Sequence, residues 1–297
     1  MIEIKNLTIS YKNNNGTFDA PAVQDVSFTI QDNETSCLIG ESGSGKSTIM
    51  SAILGLLPLG TKIEGQILLD GVNLLTYDEE KFLSIRGKKI SLIPQASLNS
   101  FTPVFTLGKI LEELVTLHSK EKLTKEEIKN TICATLSDCG LSSEFLPKYP
   151  HEMSGGERQR AAIAAALVTG CRVLLADEPT TALDVVTQDK ILQLLKRLQK
   201  EKNLTILLVT HDLAVASSLA TNFFVMEHGH LIESTTRDKI FVAPQAKHTK
   251  ELVEAANFYR NNFAQSGNTE KNQETKSKWD KLTKWIKLIK KSLNVKI

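Results

Sequence analysis

Gly40-Glu41-Ser42-Gly43-Ser44-Gly45-Lys46-Ser47 follows the apolar run Cys37-Leu38-Ile39 and leads into Thr48-Ile49-Met50-Ser51-Ala52-Ile53-Leu54. The octet has the spacing G-x-x-x-x-G-K-S, and its flanks read as a strand and a helix, the context in which this spacing means a phosphate-binding loop. Gly40, Gly43 and Gly45 let the backbone curl so that successive N–H groups, that of Ser42 among them, converge on phosphate oxygens. The helix start through Thr48 adds its positive dipole end. Lys46 is placed to reach the β- and γ-phosphates, and the Ser47 hydroxyl to ligate Mg²⁺. A Ser/Gly-rich turn before an ordinary helix leaves the offsets of the lysine and the hydroxyl unexplained. The segment therefore predicts a nucleoside triphosphate site.

Outward from the loop, Ser36 to Ile39, Val173 to Ala176 and Leu204 to Val209 are short, nearly continuous apolar runs bounded by polar or turn residues. Central parallel strands covered on both faces look like this. Helical stretches at 156–169, 184–202 and 212–220 separate or follow them. Ile2-Glu3-Ile4 and Leu7-Thr8-Ile9 alternate as a half-buried strand does, and Val26 to Ile30 continues in that manner. The pattern predicts a layered α/β domain with the ligand loop at the C-terminal end of a strand. Between Thr106 and Tyr149, Leu107, Ile110, Leu111, Leu114, Val115 and Leu117 recur at helical spacing. Ile128, Ile132 and Leu136 repeat it with no strand signal between, so a helical insertion is expected there.

Composition narrows the classes. The chain has 297 residues, 41% of them apolar, enough for a large core with a subdomain. Cys37, Cys133, Cys139 and Cys171 show no metal-ligand spacing, which predicts reduced, partly buried thiols with neither disulfide nor cysteine-bound metal. Glu3 and Lys5 interrupt the first apolar residues, so no signal peptide is expected, and no apolar run reaches membrane-spanning length. If a membrane is involved, another chain has to cross it. The formal charge of +2 hides an asymmetry: residues 276–297 carry eight of the 36 Lys and Arg and one of the 34 Asp and Glu. The rest is mildly acidic, with 28 basic against 33 acidic residues.

Two further motifs carry chemistry. Val173-Leu174-Leu175-Ala176-Asp177-Glu178 is an apolar strand ending in two carboxylates. Adjacent strand residues point opposite ways, so the two acids can take different tasks. Asp177 is expected to hold Mg²⁺ and Glu178 to face the γ-phosphate and polarise the attacking water, since phosphoryl transfer needs a metal holder and a water-positioning group. Met153-Ser154-Gly155-Gly156-Glu157-Arg158-Gln159-Arg160 contains an S-x-x-E capping box at Ser154 and Glu157. The box does not account for two glycines at a helix start. Exposed N–H groups and a hydroxyl there form a second anion site.

Taken in order, the 40–48 loop, Ser154-Gly155-Gly156-Glu157-Arg158-Gln159 and the Val173–Pro179 strand resemble the ATP-binding subunit of an ABC transporter over roughly residues 1–260. The resemblance implies a P-loop NTPase (RecA-like) core with an antiparallel β portion and a helical subdomain at about 106–153. It also implies a head-to-tail dimer in which Ser154 and Gly156 grip the γ-phosphate bound to the partner's loop. Gln95 resembles the glutamine that senses Mg²⁺ and water, and His211 the switch histidine at the γ-phosphate. Asp184, in Thr181-Ala182-Leu183-Asp184, resembles the residue at which a loop crosses the dimer interface, and Tyr11 the aromatic that stacks on adenine.

Ile85-Arg86-Gly87, Ile90 to Gln95, Ser97-Leu98-Asn99-Ser100 and Pro103 look like the dipeptide/oligopeptide/nickel importer branch. His248-Thr249 keeps part of that branch's C-terminal segment without its proline and tyrosine, and no cysteine follows Cys171 to hold an iron–sulfur cluster. The implied partners are a second ATPase subunit (a paralogue), two transmembrane permease subunits and an extracytoplasmic substrate-binding protein, with the chain peripheral on the cytoplasmic face. An exporter-type ATPase, or a soluble ABC protein acting on ribosomes or nucleic acid, is the rival reading.

After Arg260 the chain turns polar, and 261–276 reads as a linker. In 277–297, Trp279, Leu282, Trp285, Ile286, Ile289 and Leu293 lie at helical spacing among lysines. This basic amphipathic helix suits an anionic bilayer surface or packing on its own domain. No recognition fold stands beside it, and no nucleic acid is expected as partner.

Overall fold

A computed structural model describes residues 1–95, 101–119 and 122–265. Ser97-Leu98-Asn99-Ser100, most of the expected linker and the basic amphipathic helix lie outside the described residues. The chain opens with β1 (Ile2–Ser10), β2 (Val23–Ile30) and β3 (Thr35–Ile39), then α1 (Lys46–Ile53), β4 (Lys62–Leu69), β5 (Val72–Asn73), α2 (Glu79–Ile85) and β6 (Ile90–Ile93). Helices α3 (Leu107–His118), α4 (Lys125–Asp138) and α5 (Gly155–Leu167) precede β7 (Val173–Asp177), α6 (Val185–Glu201), β8 (Thr205–Thr210) and α7 (Leu213–Leu219). The hairpin β9 (Asn222–Glu227) and β10 (His230–Thr236) leads to α8 (Arg237–Ile240) and α9 (Lys247–Gln265). Helix α9 thus runs five residues into the stretch read from its polarity as a linker.

The strands form two sheets. Antiparallel β2-β1-β4-β5 is one, and β10-β9-β3-β8-β7-β6, parallel except for its β10 edge, is the other. Strands β3 and β8 are buried along their whole length. Their side chains alternate between two cores. Cys37, Ile39, Leu174, Ala176, Ile206 and Leu208 face the helices α3 to α7. Leu38, Val173, Leu175, Leu207 and Val209 face α1 and the antiparallel sheet. This two-sided burial is why those runs are continuously apolar. Phe28 and Phe224 join the two sheets with ring centroids 4.3 Å apart. Strand β9 goes unmarked in the sequence reading, although Phe223-Phe224-Val225-Met226 is a run of the same kind and joins the same sheet.

The helical stretch at 106–153 contains α3 and α4, each started by a threonine: Thr106 accepts from Lys109 N, and Thr124 forms a reciprocal cap with Glu127. Leu107, Leu111, Val115, Ile132 and Leu136 pack with α5 in the helical core. Among the described residues no helix is long and apolar enough to cross a membrane. The four cysteines are free.

Parallel register decides what lies at the sheet's C-terminal edge. Ile39 pairs with Thr210, Asp177 with Val209, and Ile93 with Ala176. The chain therefore leaves β3 at Gly40, β8 at His211, β7 at Glu178 and β6 through Pro94 to Gln95, all along one edge.

Candidate nucleotide site

At two glycines of the loop between β3 and α1 there is no room for a side chain. A Cβ at Gly40 would fall on the Met226 carbonyl oxygen and 2.8 Å from Ser44 Oγ. At Gly45, φ is 100° and a Cβ would sit 2.6 Å from Ala22 O. Gly43 has open space but φ of 80°, a left-handed value that favours glycine. No side chain caps α1, and no acidic residue occupies its first turn, so the positive end of the helix faces the loop uncompensated.

Lys46 is 7% exposed, and its Nζ donates to Gly40 O at 2.8 Å, to Glu41 O at 2.5 Å and to Ser44 Oγ at 3.1 Å. Burial holds its pKa below the usual lysine value, against the pull of Glu178 and Asp177. A buried cation that spends its donors on neutral loop acceptors can exchange them for anionic oxygens. The glycine cradle, the uncapped helix start and this ammonium fit a polyphosphate.

Ser47 and Asp177 stand 130 residues apart in sequence and meet here, the Ser47 hydroxyl donating to Asp177 Oδ2 at 3.3 Å. Burial raises the Asp177 carboxyl, and the neighbouring Glu178 raises it further, while Ser47 and Lys46 act the other way. A carboxylate in that position gains from a cation brought against it. The hydroxyl–carboxylate pair offers the hard oxygen ligands that Mg²⁺ takes while it keeps waters and phosphate oxygens.

Glu178 lies beyond the end of β7 with φ of 44°. Its divergence from Asp177 therefore comes from a left-handed backbone residue, and this corrects the expectation that strand alternation separates the two acids. Three side chains converge on its carboxylate. His211 Nδ1 is 2.7 Å from Oε1, and Oε2 accepts from Gln95 Nε2 and from Thr181 Oγ1, both at 2.9 Å. Burial raises the Glu178 carboxyl, but the hydrogen bonds from His211, Thr181 and Gln95 outweigh it and hold the pKa below the usual glutamate value. The group is ionised at neutral pH, so the His211 nitrogen that faces it carries the proton. Thr181 is the member of this set to which the sequence reading assigns no task; its signal is a hydroxyl three residues after the acid.

The remaining predicted residues sit apart from that centre. The Tyr11 hydroxyl is 3.0 Å from Thr48 Oγ1, tying the end of β1 to α1, while Ser42 is exposed on the loop. Ser154 caps α5 in the reciprocal manner expected: its hydroxyl accepts from Glu157 N at 3.3 Å and its N–H donates to Glu157 Oε2 at 2.8 Å. A Cβ at Gly155 would meet Leu183 at 3.3 Å, and one at Gly156 would meet Thr187 Cγ2 at 2.8 Å. The two glycines therefore let the start of α5 lie against the start of α6. Asp184 caps α6, accepting from Val186 N and Thr187 N, each at 3.1 Å, and from Thr187 Oγ1 at 2.7 Å. Ser154, Gly156 and Asp184 thus form a second group on α5 and α6, separate from the lysine loop.

Known proteins resemble this chain over most of its length. The family described as "ABC transporter" matches residues 23–181. The oligopeptide transport ATP-binding protein OppD of Bacillus subtilis (strain 168) is 39% identical over 257 residues, which is 85% of this chain and 71% of that protein. The metal-staphylopine import system ATP-binding protein CntD of Staphylococcus aureus (strain NCTC 8325 / PS 47) is 35% identical over 85% of this chain and 92% of its own length. A dimeric, post-hydrolysis structure of the ATP-binding cassette MJ0796 bound to ADP and Pi superposes with a TM-score of 0.71 at 31% identity, covering 80% of this chain and 99% of that one. A polyphosphate cradle beside an ionised, hydrogen-bonded glutamate, in a fold and sequence shared to this extent, assigns the chain to the ABC transporter family as one of its ATP-binding, ATP-hydrolysing cassettes.

Proposed function

We propose that this cassette powers import of peptides, nickel or metal chelates through a membrane permease, docked peripherally on the cytoplasmic face. The observation that carries the hydrolytic part is the convergence of Gln95 and His211 on ionised Glu178, beside the Ser47–Asp177 pair. The import part is supported by likeness to proteins named for oligopeptide transport and metal-staphylopine import. Its assembly comprises a second ATPase subunit, a paralogue, together with two permease subunits and an extracytoplasmic substrate-binding protein.

In this reading Lys46 and the loop N–H groups bind the β- and γ-phosphates, and Tyr11 stacks on the adenine. Ser47, Asp177 and Gln95 hold Mg²⁺, which when bound neutralises phosphate charge and orients the terminal phosphate. Glu178 accepts a hydrogen bond from the attacking water and aligns it, and His211 keeps the carboxylate turned toward that position. Ser154 and Gly156 serve the nucleotide held by the partner's loop, and Asp184 lies at the crossing between subunits. The basic stretch at 277–297 adds an anionic-membrane contact, and no nucleic acid takes part.

Uptake of radioactive nickel and of a labelled dipeptide, measured in a deletion strain with and without the restored gene, tests the assignment. Loss of peptide uptake alone makes the chain a peptide importer ATPase, and loss of metal uptake alone makes it a metal or metal-chelate importer ATPase. Unchanged uptake of both, with redundant cassettes deleted, overturns import as the role.

A further inference from the structure

Thr181 occupies an exposed turn, so its methyl group contributes no core packing, yet its hydroxyl is turned inward onto Glu178 Oε2 at 2.9 Å. The turn is closed by Thr181 N donating to Glu178 O at 3.1 Å, and Gln188 Nε2 of α6 holds the neighbouring Thr180 carbonyl at 3.2 Å. The donor is therefore fixed relative to the acid by three residues of chain. Gln95, the other donor to the same oxygen, arrives from a different strand 83 residues away.

We infer that Thr181 is a positioning residue for ATP hydrolysis, holding Glu178 Oε2 so that Oε1, beside His211, is the oxygen that takes the water. Each carboxylate oxygen offers about two acceptor directions. With Thr181 and Gln95 on Oε2, that oxygen is filled. Among the described residues Oε1 carries His211 alone and keeps one direction open. Without the Thr181 hydroxyl the carboxylate loses the donor belonging to its own turn and rotates more freely about its terminal bond. The left-handed backbone at Glu178, φ 44°, aims the side chain but leaves that rotation undetermined. The inference rests on the reading of Glu178 as the water-aligning group.

The test uses the full chain, purified with the subunits that accompany it, as wild type, Thr181→Val, Thr181→Ser and Glu178→Gln. Valine keeps the shape and removes the hydroxyl; serine keeps the hydroxyl and removes the methyl. The expected result for Thr181→Val is a fall in kcat of about tenfold with KM for ATP within about twofold, as for misorientation of a group that is still present. Thr181→Ser restores kcat, because the hydroxyl rather than the methyl group carries the effect. Normal kcat in Thr181→Val overturns the inference, as does Thr181→Ser behaving like the valine variant. Glu178→Gln separates the two readings. If it still turns over, the role of Glu178 itself fails; if it is inactive while Thr181→Val is normal, only the inference about Thr181 fails. Binding of a fluorescent ATP analogue at wild-type affinity establishes that each variant is folded.

Discussion

His211 Nδ1 lies 2.7 Å from Glu178 Oε1, joining the residues that immediately follow β8 and β7 by a hydrogen bond across the C-terminal edge of the sheet. Because Glu178 is held below the usual glutamate pKa, it remains ionised well below neutrality and the bond is charge-assisted. The sign of the pH effect follows. Replacing His211 with alanine removes a donor to the charged form, so the Glu178 carboxyl rises toward its ordinary range. Turnover of His211→Ala is expected to fall by about a hundredfold at neutral pH, the scale of a lost acid–base or orienting partner. The deficit relative to wild type widens as pH falls. A pH series of steady-state ATP hydrolysis checks this; a deficit that is constant with pH contradicts it.

Glu178→Gln keeps the shape of the side chain but removes its charge. ATP binding is expected to persist while turnover drops to background, because Lys46, the loop and the Ser47–Asp177 pair are untouched. Single-turnover measurement with radiolabelled ATP separates the two effects. Substantial hydrolysis by this variant excludes Glu178 as the water-aligning group.

Lys46→Ala removes the buried ammonium that now donates to the Gly40 and Glu41 carbonyls and to Ser44. Hydrogen bonds to charged partners contribute about 1.5–3 kcal/mol each, so loss of the lysine weakens ATP binding by roughly tenfold to a hundredfold. Titration calorimetry of the full chain reads this directly. The loop has lost its cation but not its glycines, so weakened binding without unfolding is the expected pattern.

Gly156→Ala places a Cβ 2.8 Å from Thr187 Cγ2, forcing the start of α5 away from α6. Nucleotide binding at the chain's own loop is expected to be unchanged. ATP-dependent association, measured by sedimentation in the Glu178→Gln background, is expected to be lost. Adding Thr187→Ser removes the opposing methyl group, keeps the hydroxyl that bonds Asp184, and should restore part of the association. Failure of that second change to restore anything points away from the steric explanation.

Leu208→Ala tests the core. The side chain is fully buried in β8, between β3 and β7, and its loss leaves a cavity among residues that cannot collapse into it. The expected cost is about 3 kcal/mol, seen as a lower urea midpoint with an unchanged slope.

The sequence by itself determined those features whose chemistry is confined to a few consecutive residues. Gly40 to Ser47 form a phosphate loop because backbone curl, cation and hydroxyl are all specified within eight positions. The Ser154–Glu157 cap is legible for the same reason, and β3, β7 and β8 are visible because burial on both faces leaves polar residues only near their ends. Only the tertiary structure decided which oxygen of Glu178 meets which donor. Gln95 is 83 residues away and His211 is 33, and both are brought to the acid by the parallel register that lines up the ends of β6, β7 and β8. Thr181 is only three residues from Glu178. Its hydroxyl still reaches the carboxylate only because the turn closes on a left-handed residue, φ 44°. Local spacing records which groups are available; long-range strand pairing and one unusual dihedral angle determine how they converge.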